Sequence, residues 1–112
     1  MHIGSRDPAK AGECAREFSA AQFGDYDAVL ANPEVEAVYI STPPSLHEEW
    51  VLKAVAKGKH VLCEKPLAMN SRESAELVRL AQQHSQQATA VNYNIRFYPL
   101  CSEVRCRIQN GS

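Results

Sequence analysis

Two kinds of periodicity alternate along the chain. Short runs of β-branched and aromatic residues read as strands, and longer stretches with apolar residues three and four apart read as helices. Ile3-Gly4-Ser5 reads as the end of a strand. Asp7-Pro8 then predicts a helix start, with Asp7 as cap and Pro8 at the first helical position, and the helix runs to about Phe18. An extended piece follows near Gln22-Phe23, and a short helix from Tyr26 to Ala31 stops before Asn32-Pro33. The clearest strand is Val35–Ser41, which leads into Pro43-Pro44. Ser45 with Glu48 predicts a capping box. The helix it opens places Leu46, Trp50, Val51, Ala54 and Val55 at helical spacing, and Gly58 closes it. His60–Cys63 is a short buried-type strand, and Asn70 with Glu73 predicts another cap. The helix that follows carries Ala75, Leu77, Val78, Leu80 and Ala81 and fades near Gln82–Gln87. Ala88–Tyr93 reads as the last strand and Leu100–Gln109 as the last helix, with Gly111 past its end.

Strands separated by helices of this length pair in parallel, because a parallel connection needs a long crossover. The expected fold is α/β: a doubly wound parallel sheet with helices on both faces, one domain over residues 1–112. Ligands in such sheets sit beyond the carboxyl ends of the strands. Those ends are Ser5-Arg6, Ser41-Thr42-Pro43, Glu64-Lys65-Pro66 and the stretch from Asn92 to Arg96.

Composition narrows the partners. The chain has 112 residues, 45% hydrophobic and 22% charged, with a formal net charge of −1. That is ordinary globular composition for one domain. Acidic and basic residues balance and form no basic stripe, so no nucleic-acid partner is expected. No apolar run approaches the roughly 20 residues that span a bilayer, and the N-terminus lacks the apolar stretch of a signal peptide. A soluble, cytoplasmic protein is expected. Cys14, Cys63, Cys101 and Cys106 form no C-x-x-C pair, and the four histidines are scattered, so no metal site is expected. Free thiols in a reducing compartment fit this pattern. A Cys101–Cys106 disulfide is not expected if both lie on one helix.

Glu64-Lys65-Pro66 is the strongest chemical signal. It follows a buried strand directly, so two charges sit at the crevice end of the sheet, where desolvation is costly without a partner or ligand. A lysine amine there can donate to a substrate oxygen or assist proton transfer, and a cis proline could aim it. On spacing alone, a surface salt bridge in a loop accounts for the tripeptide equally well. Taken with VYISTPPSLH over Val38–His47, GKHVLCEKPLA over Gly58–Ala68 and YNIRFYP over Tyr93–Pro99, however, the chain resembles the glucose–fructose oxidoreductase / inositol dehydrogenase / MocA family of nicotinamide-dependent enzymes. The motifs occur in the family's order and spacing, and the resemblance covers essentially the whole chain.

The resemblance implies roles residue by residue. Thr42, Pro43 and His47 would lie along the ribose and pyrophosphate side of the cofactor. Glu64 would contact the nicotinamide ribose. Lys65 would be the catalytic group, reaching nicotinamide and substrate, and Arg96 would line the nicotinamide end. The strand end at Ser5-Arg6 bears on the choice of cofactor. An acidic residue there accepts from the 2′-hydroxyl of NAD, whereas an arginine suits the 2′-phosphate of NADP. Arg6, Ser5 and Lys10 therefore point to NADP in preference to NAD, with Asp7 spent on the helix cap.

The same resemblance implies what lies outside the chain. No G-x-G-x-x-G occurs, although such a loop normally brings backbone N–H groups to the pyrophosphate. The expectation is a dinucleotide-binding domain lacking its first β-α unit and the α+β substrate domain that follows in relatives, so that the chain is a fragment, inactive alone. Loss of the central first strand would leave unpaired edges and an uncovered apolar face. The intact parent would be a homo-oligomeric oxidoreductase. It would move a hydride between nicotinamide and a hydroxyl-bearing carbon of a sugar, polyol or related alcohol. The alternatives are a non-catalytic dinucleotide-binding regulator of the same fold, against which Glu64-Lys65-Pro66 argues, and a remnant that binds no cofactor.

Overall fold

Strands and helices alternate along the chain in a computed structural model that describes residues 1–111. The order is β1 (His2–Gly4), α1 (Pro8–Glu17), β2 (Gln22–Gly24), α2 (Tyr26–Ala31), β3 (Ala37–Ile40), α3 (His47–Ala56), β4 (His60–Cys63), α4 (Ser71–Gln83), β5 (Thr89–Val91) and α5 (Pro99–Gln109). Single 3-10 turns at Pro44–Leu46 and Asn94–Phe97 precede α3 and α5. All pairing among the described residues is parallel, as strand–helix–strand units require.

The sheet is divided. β1 pairs with β2, and β3-β4-β5 form a separate group with β4 in the middle. Nothing hydrogen-bonds β1 to β3 among the described residues. Side chains join the two halves instead. Lys59, only 7% exposed, donates from Nζ to the Asn32 carbonyl at the end of α2 at 2.8 Å. Tyr26 of α2 meets Trp50 of α3 edge to face at 4.9 Å between centroids. Leu30 of α2 enters the core of the three-stranded half.

Strand alternation decides which face is buried. In β3 and β4, Val38, Ile40, Val61 and Cys63 turn toward α3 and α4, while Tyr39 and Leu62 point the other way and are 56% and 39% exposed. The covered face forms the main core: Ile40, Val51, Ala54, Val55, Val61, Cys63 and Leu77, with Leu30. Burying such apolar side chains is worth about 1.5–3 kcal/mol each for the larger ones. In the two-stranded half, Phe23 faces Gly12 of α1, and Gly4 and Gly24 face α2. A Cβ on Gly4 would stand 2.9 Å from Val29 Cγ2, so the bare backbone is what lets α2 approach.

The caps show where local signals hold. Asp7 accepts from the Ala9 amide at 2.9 Å, with Pro8 opening α1. Asn70 accepts from the Glu73 amide at 3.0 Å, and Glu73 accepts in return from the Met69 amide and the Asn70 side chain. Gly58 ends α3 at φ +76°, a backbone conformation that favours glycine. The expected Ser45–Glu48 capping box does not form. Pro44 starts a 3-10 turn, closed by Leu46 N–H donating to the Pro43 carbonyl at 2.9 Å, so Leu46 occupies the cap position of α3 without a side-chain bond. Glu48 and Glu49 still sit in the first turn, where the helix dipole favours them. β3 and β5 are shorter than the expected Val35–Ser41 and Ala88–Tyr93. Val35 N–H turns back to the Asn32 carbonyl before β3, and Tyr93 N–H turns back to the Val91 carbonyl after β5.

Candidate cofactor site

Three parallel strands end side by side, and the register aligns Ile40, Cys63 and Val91. The next residues, Ser41, Glu64 and Asn92, therefore project to the open face, the same face as Tyr39. This parity explains a network at the carboxyl end of the sheet. The Tyr39 hydroxyl donates to Glu64 Oε1. Asn92 Nδ2 donates to the same oxygen at 2.7 Å. The Lys65 amide donates to Glu64 Oε2 at 3.1 Å. Donation from the Tyr39 hydroxyl, then from Asn92 and the Lys65 amide, holds the Glu64 carboxyl below the usual carboxylate range. The same hydrogen bond raises the Tyr39 phenol above its ordinary value, since its proton is shared with an anion.

Lys65 is exposed, and its amine enters no ion pair among the described residues. The Lys65–Pro66 peptide is cis, the isomer expected as a means of aiming the lysine. Lys65 and Glu64 thus stand adjacent at the end of β4, one with a free amine and the other with a fixed carboxylate.

Thr42 and Pro43 follow β3 across the same end of the sheet. Thr42 is half-buried, and its Oγ1 is shielded from solvent without a hydrogen-bond partner among the described residues. A buried hydroxyl left unpaired is costly, and at a strand end it is a natural place for a ligand oxygen. Pro43 is exposed.

His47 lies buried between the loops that follow β3 and β4. It is 1% exposed, and both ring nitrogens are engaged: Nε2 with the Thr42 carbonyl at 2.8 Å and Nδ1 with the Pro66 carbonyl at 2.8 Å. No ring nitrogen is left to meet a cofactor. Carbonyl oxygens only accept, so a neutral ring donates to one of the two carbonyls at a time, and the tautomer decides which. His47 therefore ties the loop after β3 to the loop after β4, the two loops that carry Thr42, Pro43, Glu64 and Lys65.

The remaining expected residues lie further out. Ser5 follows β1, and its Oγ accepts from the Asp7 amide at 3.1 Å. Arg6 and Lys10 are exposed and form no ion pair among the described residues. Asp7 is occupied in capping α1. Arg96 lies exposed in the turn after β5, its guanidinium 5.5 Å from the Phe97 ring centroid. The structure thus brings Glu64, Lys65, Thr42 and Pro43 to adjoining strand ends, and leaves Ser5 and Arg6 after β1 and Lys10 in the first turn of α1. Tyr39 was not among the expected site residues, and Asn92 was expected only as the first residue of the strand end Asn92–Arg96. The signal for them is the strand register, since residues of equal parity across aligned strands share a face.

The donor set suits a dinucleotide. It offers a carboxylate acceptor and an amine at one strand end, an unpaired hydroxyl at the next, and exposed cations at the end of β1. No helix among the described residues is long and apolar enough to cross a membrane. Residues 1–93 match a family model described as "Oxidoreductase family, NAD-binding Rossmann fold". The chain is 44% identical over 80 residues to a dTDP-3,4-didehydro-2,6-dideoxy-alpha-D-glucose 3-reductase of Saccharopolyspora spinosa, covering 71% of this chain and 24% of that protein. It is 42% identical over 79 residues to a scyllo-inositol 2-dehydrogenase (NADP(+)) of Bacillus subtilis, covering 70% and 24%. Among solved structures it is similar to the 3-ketoreductase KijD10 of Actinomadura kijaniata in complex with TDP-benzene and NADP. That match has a TM-score of 0.90 at 30% identity and covers 99% of this chain and 35% of that one. The chain spans about a quarter of the length of the two enzymes and about a third of the ketoreductase.

Proposed function

We propose, from the premise that this chain belongs to the Gfo/Idh/MocA oxidoreductase family with its NAD-binding Rossmann fold, that it forms the nicotinamide-side wall of a dinucleotide crevice. The enzyme to which it contributes is an oxidoreductase acting on a sugar, polyol or related alcohol. The observation that carries this reading is the Glu64-Lys65 pair at the end of β4, with the carboxylate held by three donors and the amine unpaired. A bound nicotinamide supplies the hydride chemistry.

The residues of the chain do the rest. Glu64 accepts from a ribose hydroxyl. Lys65 donates to the oxygen on the reacting carbon and assists the proton that must move with the hydride. Thr42 offers its hydroxyl, Pro43 shapes the wall beside it, and Arg96 borders the nicotinamide end. Arg6, Ser5 and Lys10 receive a 2′-phosphate, which makes NADP the preferred cofactor over NAD. The two NADP-linked relatives named above support that choice. A cytoplasmic location belongs to the same reading, supported by four free cysteines, as does a homo-oligomeric enzyme.

The test is titration of the enzyme to which the chain contributes with NADPH and NADH, followed by nicotinamide fluorescence, because no G-x-G-x-x-G loop to meet the pyrophosphate occurs in the chain itself. NADPH is expected to bind more tightly, and Arg6→Ala is expected to weaken NADPH by about tenfold, the scale of one charge-assisted hydrogen bond, with little effect on NADH. Equal binding of the two cofactors would remove the NADP assignment. Binding of neither would remove the dinucleotide reading of this chain.

A further inference from the structure

Glu64 is held from both sides. Tyr39 reaches it from β3 and Asn92 from the end of β5, and both donate to Oε1. The Lys65 amide donates to Oε2. An ionised carboxylate has about four lone-pair sites, two on each oxygen. Oε1 is therefore filled, and Oε2 has one site left.

The arrangement also settles where the carboxylate does not go. Glu64 and Lys65 are neighbours in sequence, yet no ion pair joins them among the described residues. An exposed glutamate with free rotamers could swing toward the lysine amine, and that pairing would occupy both groups. Two donors on the flanking strands oppose the swing, because hydrogen bonds are directional and weaken steeply off axis.

We propose that Tyr39 and Asn92 are positioning residues for Glu64: with the Lys65 amide they fill its acceptor sites until one remains, on Oε2, for a single ligand hydroxyl, and they keep the carboxylate off the Lys65 amine. The identity of the ligand as a dinucleotide ribose rests on the function proposed above, whereas the positioning itself does not. A Glu64 carboxyl that titrates below the ordinary range is the solution signature expected of the arrangement.

The experiment is a carbon-13 NMR titration of the Glu64 side-chain carboxyl in the chain and in its Tyr39→Phe and Asn92→Ala forms, with NADPH titrations of the enzyme to which the chain contributes, carrying the same substitutions. Tyr39→Phe removes only a hydroxyl from a ring that is 56% exposed, so the fold is expected to survive it. In the parent, Glu64 is expected to titrate below the ordinary glutamate range. Each substitution is expected to move it upward, and each is expected to weaken NADPH binding about three- to tenfold, the scale of one hydrogen bond. An unshifted carboxyl in both variants would overturn the positioning, even if binding fell. Upward shifts in the two variants, with no dinucleotide bound by the enzyme to which the chain contributes, would uphold the positioning and overturn the proposed function instead.

Discussion

The three-stranded half of the molecule buries Ile40, Val51, Val55, Val61, Cys63 and Leu77 under α3 and α4. The two-stranded half buries Ala11 and Ala15 of α1 and leaves Phe18 and Phe23 59% and 56% exposed. The candidate site is split along the same line. Glu64, His47 and the backbone around Thr42 and Pro66 are fixed by hydrogen bonds on the well-packed half. Arg6 and Lys10 stand exposed on the other half, located only by the end of β1 and the Asp7 cap of α1. The difference follows from the chemistry each half is proposed to perform. A hydroxyl acceptor needs direction, which the hydrogen bonds to Glu64 supply, and the amine beside it is set only by the backbone of Lys65. Attraction of a phosphate by cations is Coulombic and long-ranged, and it tolerates a looser frame.

The sharpest way to break this comparison is a matched pair of truncations read by urea unfolding. Leu77 is 4% exposed within the core, and Leu77→Ala is expected to cost about 2–5 kcal/mol. Phe23→Ala removes a larger side chain from a site that is more than half exposed, and its expected cost is below about 1 kcal/mol. Equal losses would mean that the two halves share one packing regime, and the argument for a rigid half and a loose half would fail.

His47 tests the rigid half without emptying the core. His47→Ala removes the link between the Thr42 and Pro66 carbonyls, with an expected cost of about 1–3 kcal/mol for the lost hydrogen bonding at part-buried acceptors. His47→Gln keeps an amide donor able to reach one carbonyl and is expected to fall between the parent and the alanine form. Amide exchange should quicken at Leu46 and Lys65 in the alanine form and stay unchanged in β1 and α1. Faster exchange across both halves would show that His47 stabilises the domain at large rather than the two loops.

Much of this arrangement is legible in the sequence, for reasons that differ by element. The bounds of α2 and β4 follow from strong punctuation: Asn32-Pro33 after one and a turn on each side of the other. The Asp7 and Asn70 caps are local, so a few residues suffice to predict them. The Ser45 capping box fails because a competing local signal, Pro43-Pro44, favours a tighter turn first. The motif residues Thr42, Pro43, Glu64 and Lys65 come together because strand ends in a parallel sheet converge. Tyr39, Asn92 and the buried state of His47 are less accessible. They depend on register and on contacts 25, 28 and 19 residues apart in sequence, which no local window contains.

Thiol chemistry gives the mildest probe of the same contrast, because it changes no residue. Cys63 is 1% exposed in β4, and burial, helped by the neighbouring Glu64 charge, pushes its thiol up to about 11. Cys14 lies half-buried on α1 in the other half. The thiolate is the reactive form, so at pH 8 iodoacetamide is expected to label Cys14 in the native chain and to reach Cys63 only on unfolding. The shift also sets a pH dependence. An unfolded Cys63 would lose its proton near 9, the folded one near 11. The folded state therefore holds more protons between those values, and stability should fall as pH rises from about 9 to about 11. Cys63→Ala would remove the Cys63 share of that alkaline decline, leaving the share of the raised Tyr39 phenol, while adding a pH-independent loss from the vacated volume. Native-state labelling of Cys63 at a rate matching Cys14 would mean that β4 opens as readily as α1, and a half that opens so readily could not hold Glu64 and Lys65 in fixed directions.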